Sequence, residues 1–245
     1  MISIFFYFNS ESKKIQQSID SLLNQTSKEF ELFIVDGTDK NTDLSIEIDT
    51  SSFSKVVFLK TNLENNIAYF SNKFLMQAIG RYVYFMEQDA ELDSNFVKKC
   101  NCTKNEDFII LSDDVSSHKT ILKNKSKDIY NFFLPRIDDK LFSISFLKTN
   151  NIFFSSNKFN ILIFLYKILT KFNSCGFLSY LVKNKSLSNH IYSDLYFSSE
   201  ILTNFLHDYK QSFFWEQNYK QIEFLVSYFV IFVILPSIFI KNKSV

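Results

Sequence analysis

Four short, largely apolar runs occupy the first hundred residues, and they restrict the fold more than any other feature of the sequence. They lie at residues 2–8, 31–36, 55–59 and 81–86. Strands that are apolar on both faces occur in parallel sheets that helices cover on both sides, whereas half-exposed strands alternate apolar and polar residues. The runs therefore predict a mostly parallel sheet that is buried between helices.

Two segments between these runs have the apolar spacing of amphipathic helices. The first has Ser10 as a candidate N-cap, and the second is expected to end at Gly80, because glycine commonly follows the last turn of a helix. The apolar positions are Ile15, Ile19, Leu22 and Leu23 in the first helix, and Ile67, Phe70, Phe74, Leu75 and Ala78 in the second. The resulting order, β-α-β-β-α-β, is typical of an α/β fold.

The pattern is less regular after residue 105. The segment DFIILSDD predicts a further strand, and NILIFLYKILTKF predicts a short helix. Another helix is expected to start near Asp194. The pairs Asp113-Asp114 and Asp138-Asp139 are expected to be loop acids.

Bulk composition excludes several classes of protein. Hydrophobic residues make up 46% of the 245 residues and charged residues 22%, which is enough apolar material for a packed core. The net charge of +1 gives no basic excess, so we expect no nucleic acid as a partner. The three cysteines are too few and too scattered for a disulfide framework or a zinc motif.

Polar side chains stand where the predicted strands end. Asn9 follows the first strand, Asp36 ends the second, and Glu87 and Asp89 follow the fourth. In open α/β sheets, ligands bind beyond the carboxyl ends of the strands, so these side chains are expected to share one rim. No glycine-rich dinucleotide fingerprint and no P-loop lysine motif is present, which argues against a dinucleotide-binding domain or an ATPase.

Four segments of the sequence are characteristic in combination. They are an opening strand that ends in YFN, then SIDSLLNQTSKEFELFIVDGTDKNT, NNIAYFSNKFLMQAIGRYVYF and EQDAEL. In this order and spacing they resemble a family 2 glycosyltransferase with a GT-A fold, closely over residues 2–96 and loosely beyond. The resemblance implies a Rossmann-like α/β fold with a mostly parallel central sheet and a helical C-terminal region.

The resemblance also implies a division of the chain. Residues 1–105 are expected to form the nucleotide-sugar-binding half of the GT-A domain, and residues 106–215 the acceptor-side half of the same domain. Residues 216–245 are expected to form a C-terminal apolar helix.

The donor-binding residues are implied by matching the family motifs. Asp36 matches the acid that binds the base, normally uracil, and Asn9, Asp39 and Glu87 complete the expected nucleotide-binding set. The family motif Asp-x-Asp has the sequence Glu87-Gln88-Asp89 here, and Asp89 matches the metal-binding position. A nucleotide-sugar donor loses a diphosphate, and Mn²⁺ or Mg²⁺ would neutralise the charge that develops on it.

An inverting transfer needs a general base, which the family places in an acidic pair that opens a helix. Two placements stay open. If SDLYFSSEIL is that helix, Asp194 is the catalytic acid; if NKFNILIFLYKIL is that helix, Asn160 has replaced the acid and the base is lost. We favour Asp194, although the segment KLFSISFLKTNNIFF upstream favours Asn160.

The end of the chain predicts contact with a membrane. Residues 224–240 carry no charge, and Lys241 and Lys243 follow them. Seventeen residues are at the lower limit of what a spanning helix needs, so a spanning and an interfacial helix both stay open. The flanking lysines agree with a cytoplasmic location at the inner face of the cell membrane.

The expected function is transfer of a sugar from a nucleotide-diphosphate donor to a hydroxyl of a glycan or lipid-linked acceptor, as in bacterial surface polysaccharide synthesis. The match at Asp36 implies a UDP-linked donor. Two rival functions remain. One is a degenerate GT-A protein without turnover that acts as a membrane-docked binding module. The other is a nucleotidyltransferase, against which the absence of a glycine-rich phosphate loop counts.

Overall fold

A computed structural model describes residues 1–8, 14–38, 55–60, 67–112, 119–122, 133, 136–155, 160–179, 182–183, 220, 223 and 227. In chain order the elements are β1 (Ile2–Phe8), α1 (Ile15–Leu23), β2 (Phe30–Asp36), β3 (Lys55–Lys60), α2 (Ile67–Gln77), β4 (Tyr82–Met86), β5 (Glu91–Leu92), α3 (Phe96–Asn101), β6 (Phe108–Ser112), β7 (Lys119–Leu122), β8 (Lys140–Ser143), α4 (Ile144–Thr149), α5 (Asn160–Lys171), β9 (Ser174–Ser179) and β10 (Val182–Lys183).

The predicted α/β class is confirmed by a central sheet of eight strands in the order β3-β2-β1-β4-β8-β6-β9-β7. Strands β3, β2, β1 and β4 are mutually parallel, as the apolar runs predict. Strand β8 lies antiparallel between β4 and β6, and β7 is antiparallel to β9. The short strands β5 and β10 form a separate antiparallel pair.

The two faces of the sheet carry two separate cores, because successive strand residues point to opposite sides. Phe5 and Phe33 belong to the core under α2, α4 and α5. Ile4 and Phe6 belong to the core under α1 and α3. Burial on both faces explains why the runs of β1, β2 and β4 show no polar alternation, whereas β3 is partly exposed.

The amino ends of the central strands are joined by a buried carboxylate. Glu31 is fully buried, and its Oε1 accepts hydrogen bonds from Ser3 Oγ (2.5 Å), Ile79 N (2.7 Å) and Gly80 N (3.3 Å). Its Oε2 lies 3.7 Å from Lys55 Nζ. One side chain of β2 thus bonds to β1, to β3 and to the turn that enters β4.

The second helix ends three residues before Gly80, where the sequence predicted its end. Helix α2 ends at Gln77, and no glycine among the described residues has a positive φ. Gly80 is needed because the chain passes close to β1: a Cβ there would lie 2.4 Å from Ser3 Oγ and 2.7 Å from Ser3 N.

The described residues contain no helix that is long and apolar enough to cross a membrane. Of the C-terminal region, the structure describes Lys220, Glu223 and Ser227, which are exposed and have helical backbone. The segment 224–240, apart from Ser227, lies outside the described residues, so the predicted membrane contact stays a prediction.

We expect Gly80→Ala to destabilise the fold by about 1–3 kcal/mol, the usual cost of overpacking a closely packed position. The clash is with backbone, which cannot move without disturbing the β1–β4 pairing. Gly37→Ala is the matched control, because its Cβ would meet the end of the Tyr7 side chain at 2.8 Å, and a side chain can move. Urea unfolding of both variants measures the difference, and equal losses would contradict the backbone explanation.

Candidate functional site

The parallel register brings the carboxyl ends of three strands to one edge. Phe8 on β1 is opposite Asp36 on β2, and Phe6 on β1 is opposite Met86 on β4. Neighbouring strands lie about 4.8 Å apart, so Asp36 and the turn after Met86 are separated by roughly two strand spacings, on the order of 10 Å. The edge predicted from the sequence is therefore present for the β2 and β4 acids.

Asp36 is held in a tight turn at this edge. Its side chain is buried, and Oδ1 accepts hydrogen bonds from Thr38 N (2.9 Å) and Thr38 Oγ1 (2.6 Å). Gly37 N donates to Phe8 O (2.8 Å), which continues the β1–β2 pairing by one residue. Asp36 is therefore a preorganised acceptor rather than a mobile strand-end acid.

The acidic motif forms a turn that rests on α1. Ala90 N donates to Glu87 O (3.2 Å), which closes the turn. Ser18 Oγ on the buried face of α1 donates to Gln88 O (2.8 Å). Ser21 Oγ accepts from Leu92 N (3.1 Å) directly after the turn. Two hydroxyls of one helix therefore fix the backbone that carries Glu87 and Asp89.

Asp89 has an oxygen that nothing in the described part of the chain satisfies. Oδ1 is buried and has no hydrogen-bond partner there. A buried unpaired carboxylate oxygen costs free energy, and a divalent cation is a partner that would remove the cost. Mg²⁺ and Mn²⁺ sites commonly use one or two carboxylates together with phosphate and water, so Asp89 fits such an ion. The described residues contain no cluster of three or more His, Cys, Asp or Glu side chains that could hold one alone.

Glu87 differs from Asp89 because a positively charged arginine lies beside its carboxylate. Arg136 Nη2 is 3.8 Å from Glu87 Oε2, and both side chains are mostly buried. Arg136 is in turn held by Asp138, through Nε to Oδ1 (2.9 Å) and Nη2 to Oδ2. Burial alone would lower the pKa of Arg136, but Asp138 and Glu87 raise it, so the guanidinium stays charged.

A second buried ion pair supports this arginine. Lys140 is fully buried, and its Nζ donates to Asp139 Oδ1 (2.5 Å) and to Arg136 O (2.8 Å) while lying 4.5 Å from the Phe133 ring centre. Burial lowers the pKa of Lys140, and Asp139 opposes that shift. Asp138 and Asp139 lie in the turn before β8, as expected for loop acids, but both are buried and paired with cations.

The sequence analysis missed Arg136 and Lys140 because their placement depends on a non-local pairing. Tyr84 on β4 is opposite Leu141 on β8, and the strands are antiparallel. Continued back along the chain, this register sets the segment before β8 alongside the acidic turn. The local signal is PRIDDK, in which two cations enclose two acids just before an apolar run.

Phe154, which precedes α5, is held by contacts with α2 and α5. Asn72 Nδ2 on α2 donates a hydrogen bond to Phe154 O, and Phe154 N donates one to Asn72 Oδ1, each 2.8 Å long. The Phe154 ring stacks on Phe164 of α5 with centroids 4.2 Å apart. Helix α5 begins at Asn160, the position at which one of the two placements puts the lost acid.

Three predicted site residues are not described by the structure. Asn9, Asp39 and Asp194 lie outside the described residues, so their roles stay predictions. Of the predicted set, Asp36, Glu87 and Asp89 are described and lie at the same edge of the sheet.

Comparison with known proteins identifies the family. The sequence profile of Glycosyl transferase family 2 matches residues 3–156, which is more than half of the chain. The chain belongs to glycosyl transferase family 2. No curated protein matches it by sequence.

Solved structures similar to this family 2 member share its fold. S. aureus TarS 1–349 in complex with UDP-GlcNAc has a TM-score of 0.67 and 19% identity, over 94% of this chain and 73% of that chain. S. aureus TarS 1–349 alone has a TM-score of 0.61 and 19% identity, over 73% of this chain and 58% of that chain. The mannosyltransferase PcManGT from Pyrobaculum calidifontis, in complex with GDP-Man and Mn²⁺, has a TM-score of 0.53 and 13% identity, over 73% of this chain and 54% of that chain. This chain thus spans little more than half the length of the last two.

Two cavities among the described residues lie away from the acidic edge. One, of about 470 Å³, lies at the amino ends of the strands and is lined by residues that include Arg81, Glu106 and Asn173. The other, of about 400 Å³, lies beside α3 and is lined by residues that include Lys98 and Leu178. Neither is lined by the strand-end acids, so neither is the candidate donor site of this family 2 fold.

We expect Lys140→Met to destabilise the protein by about 3–5 kcal/mol, because it leaves the Asp139 carboxylate buried without its partner. The double variant Lys140→Met, Asp139→Leu should recover most of the loss, since it removes both charges. Guanidinium unfolding measures all three proteins. Lys171→Met is the control, because Lys171 Nζ makes one exposed bond, to Asn150 O (2.9 Å). A Lys140→Met loss no larger than that of the control would contradict the described pairing.

Proposed function

We propose that this protein transfers a sugar from a nucleotide-diphosphate donor, UDP-linked, to a hydroxyl of a glycan or glycolipid acceptor. The observation that carries the proposal is the carboxyl edge of β2, β1 and β4, where Asp36 is preorganised and Asp89 has a buried, unpaired oxygen. Membership of glycosyl transferase family 2 supports the same class of reaction.

The donor would lie along this edge with its base at Asp36 and its diphosphate at the acidic turn. Thr38 holds Oδ1 of Asp36, so the carboxylate is oriented before the nucleotide arrives. Asn9 and Asp39 are proposed to complete the nucleotide pocket, and Glu87 to contact the ribose. A preorganised acceptor binds more tightly than a mobile one because less side-chain entropy is lost on binding.

Asp89 is proposed to hold Mn²⁺ or Mg²⁺. When bound, such an ion would offset the negative charge of the departing diphosphate. Ser18 and Ser21 keep the turn in place, so the Asp89 carboxylate is presented from a fixed backbone. The structure of a mannosyltransferase with GDP-Man and Mn²⁺ supports this choice of ion for a related fold.

The acceptor side completes the proposal. Asp194 would take the proton from the acceptor hydroxyl as that oxygen bonds to the anomeric carbon, with inversion. The acceptor is proposed to be a growing glycan or a lipid-linked glycan in bacterial surface polysaccharide synthesis. The protein would work in the cytoplasm at the inner face of the cell membrane, which the uncharged segment 224–240 would contact.

One observation favours the second candidate, a GT-A protein that binds a nucleotide without turnover. Helix α5 begins with Asn160, which offers an amide and no base where one alignment of the family motif expects an acid. Under this alternative the donor edge would still bind a nucleotide, and the protein would act as a membrane-docked binding module.

Binding of UDP with Mn²⁺ tests the donor site. At a ligand concentration a hundredfold above Kd, we expect stabilisation of about 2.7 kcal/mol, measured as a rise in Tm. Asp89→Asn should lose the part that depends on Mn²⁺, whereas Glu87→Gln should keep most of it, because Arg136 already balances that charge. The control is Asp20→Asn, an exposed α1 acid whose Oδ1 accepts a hydrogen bond from Gln16 Nε2 (2.8 Å). An Asp89→Asn response equal to that of the control would refute the metal assignment.

Release of UDP from a panel of UDP-sugars tests turnover. We expect the wild-type protein to release UDP with a suitable hydroxyl acceptor, and Asp194→Asn to abolish the release. If the wild-type protein binds UDP but releases none, and Asn160→Asp gains the activity, the non-catalytic alternative is correct.

A further inference from the structure

The guanidinium of Arg136 is fixed in position at the donor edge. Asp138 accepts from Nε and Nη2, so one edge of the planar group is occupied by a bidentate pair. Lys140 Nζ holds the Arg136 carbonyl at 2.8 Å, so the backbone that carries the arginine is also restrained. Within the described part of the chain, Nη1 donates no hydrogen bond. An arginine presents five N–H donors, and a second anion can therefore bind at its remaining edge.

The charges around Arg136 are predominantly negative. Among the described residues, Glu87, Asp138 and Asp139 are opposed by Arg136 and Lys140, and Lys140 is fully buried against Asp139. A diphosphate that approaches this edge meets net negative charge, which a cation must offset. Arg136 is the cation of this cluster that borders Glu87, and it is one of two arginines among 27 basic residues.

We propose that Arg136 is a diphosphate-binding residue of the donor site, so that nucleotide-diphosphate binding by this chain keeps a component that needs no metal ion. The inference rests on the proposed function and extends it. A guanidinium matches phosphate oxygens through paired N–H groups, and it cannot lose its charge near neutral pH. Asp138 orients the group, and Glu87 occupies its outer side until the diphosphate displaces that carboxylate.

The mechanism makes opposite predictions for the two partners of the Glu87–Arg136 pair. Loss of Arg136 removes a positive charge and weakens diphosphate binding. Loss of the Glu87 charge removes a competitor for the guanidinium and strengthens metal-free diphosphate binding. A purely structural ion pair predicts the same direction of effect for both substitutions.

Titration calorimetry of the full chain with UMP and UDP, each in EDTA and in Mn²⁺, tests the proposal. In EDTA we expect the wild-type protein to bind UDP more tightly than UMP. Arg136→Gln should reduce the metal-free affinity for UDP about tenfold, the usual effect of losing a charged hydrogen bond, and leave UMP affinity unchanged. Arg136→Lys should retain part of the UDP affinity. Glu87→Gln should raise the ratio of UDP to UMP affinity, since a weakened ribose contact would affect both nucleotides alike.

Arg81→Gln is the matched control, because Arg81 lies at the opposite edge and donates to Cys100 O, Asn101 O and Thr103 Oγ1. An unchanged ratio of UDP to UMP affinity in Arg136→Gln would overturn the proposal. So would a wild-type protein that prefers UDP to UMP only when Mn²⁺ is present. Both outcomes are compatible with the proposed sugar transfer. No nucleotide binding under any condition, by folded protein, would refute both. If Arg136→Gln does not fold, Arg136→Lys and Glu87→Gln still decide the question through the direction of their effects.

Discussion

The parallel hydrogen bonding of β1 with β2 and β4 determines where Asp36, Glu87 and Asp89 lie. Because Phe8 is opposite Asp36 and Phe6 is opposite Met86, backbone pairing alone brings two distant acids to one edge. A slip of one residue would turn the strand faces over and expose the core, so the register is strongly specified. At the opposite ends of these strands, the buried Glu31 carboxylate of β2 accepts hydrogen bonds from β1 and from the turn before β4. These bonds help to hold the three strands in register.

The three carboxylates at this edge have different neighbours, and these neighbours determine what each carboxylate can bind. A hydroxyl and an N–H of Thr38 hold Asp36, while a guanidinium lies beside Glu87. Asp89 keeps a buried oxygen without a protein partner in the described part of the chain. Three carboxylates thus become a preorganised acceptor, a charge-balanced neighbour of an arginine and a candidate cation ligand.

Local patterns in the sequence predicted the first half of the fold well. Buried strands and amphipathic helices have periodicities that sequence alone displays, and β1 to β4 with α1 and α2 form where those periodicities lie. The second half was less predictable because β8 joins the sheet antiparallel, between strands that are distant along the chain. The sequence placed Asp138 and Asp139 in a loop but did not show that they are buried and paired with cations, for the same reason.

The Asp36 and Asp89 positions could be proposed because the acids follow recognisable strands. Arg136 could not, because its importance depends on a contact with Glu87 across 49 positions of sequence. Gly80 shows another limit: its sequence position suggested a helix cap, but the approach of β1 decides its identity. In each case the missing information is a tertiary neighbour rather than a local preference.

The position of β8 has a consequence for how such a chain can be divided. Because β8 separates β4 from β6, the strands before and after residue 105 share one continuous hydrogen-bonded sheet. A fragment that stopped near residue 105 would leave β4 as a bare edge, and the complementary fragment would leave β8 as another. Open strand edges of this kind pair with strands of other chains, so a chimera with a relative should keep β4 and β8 together.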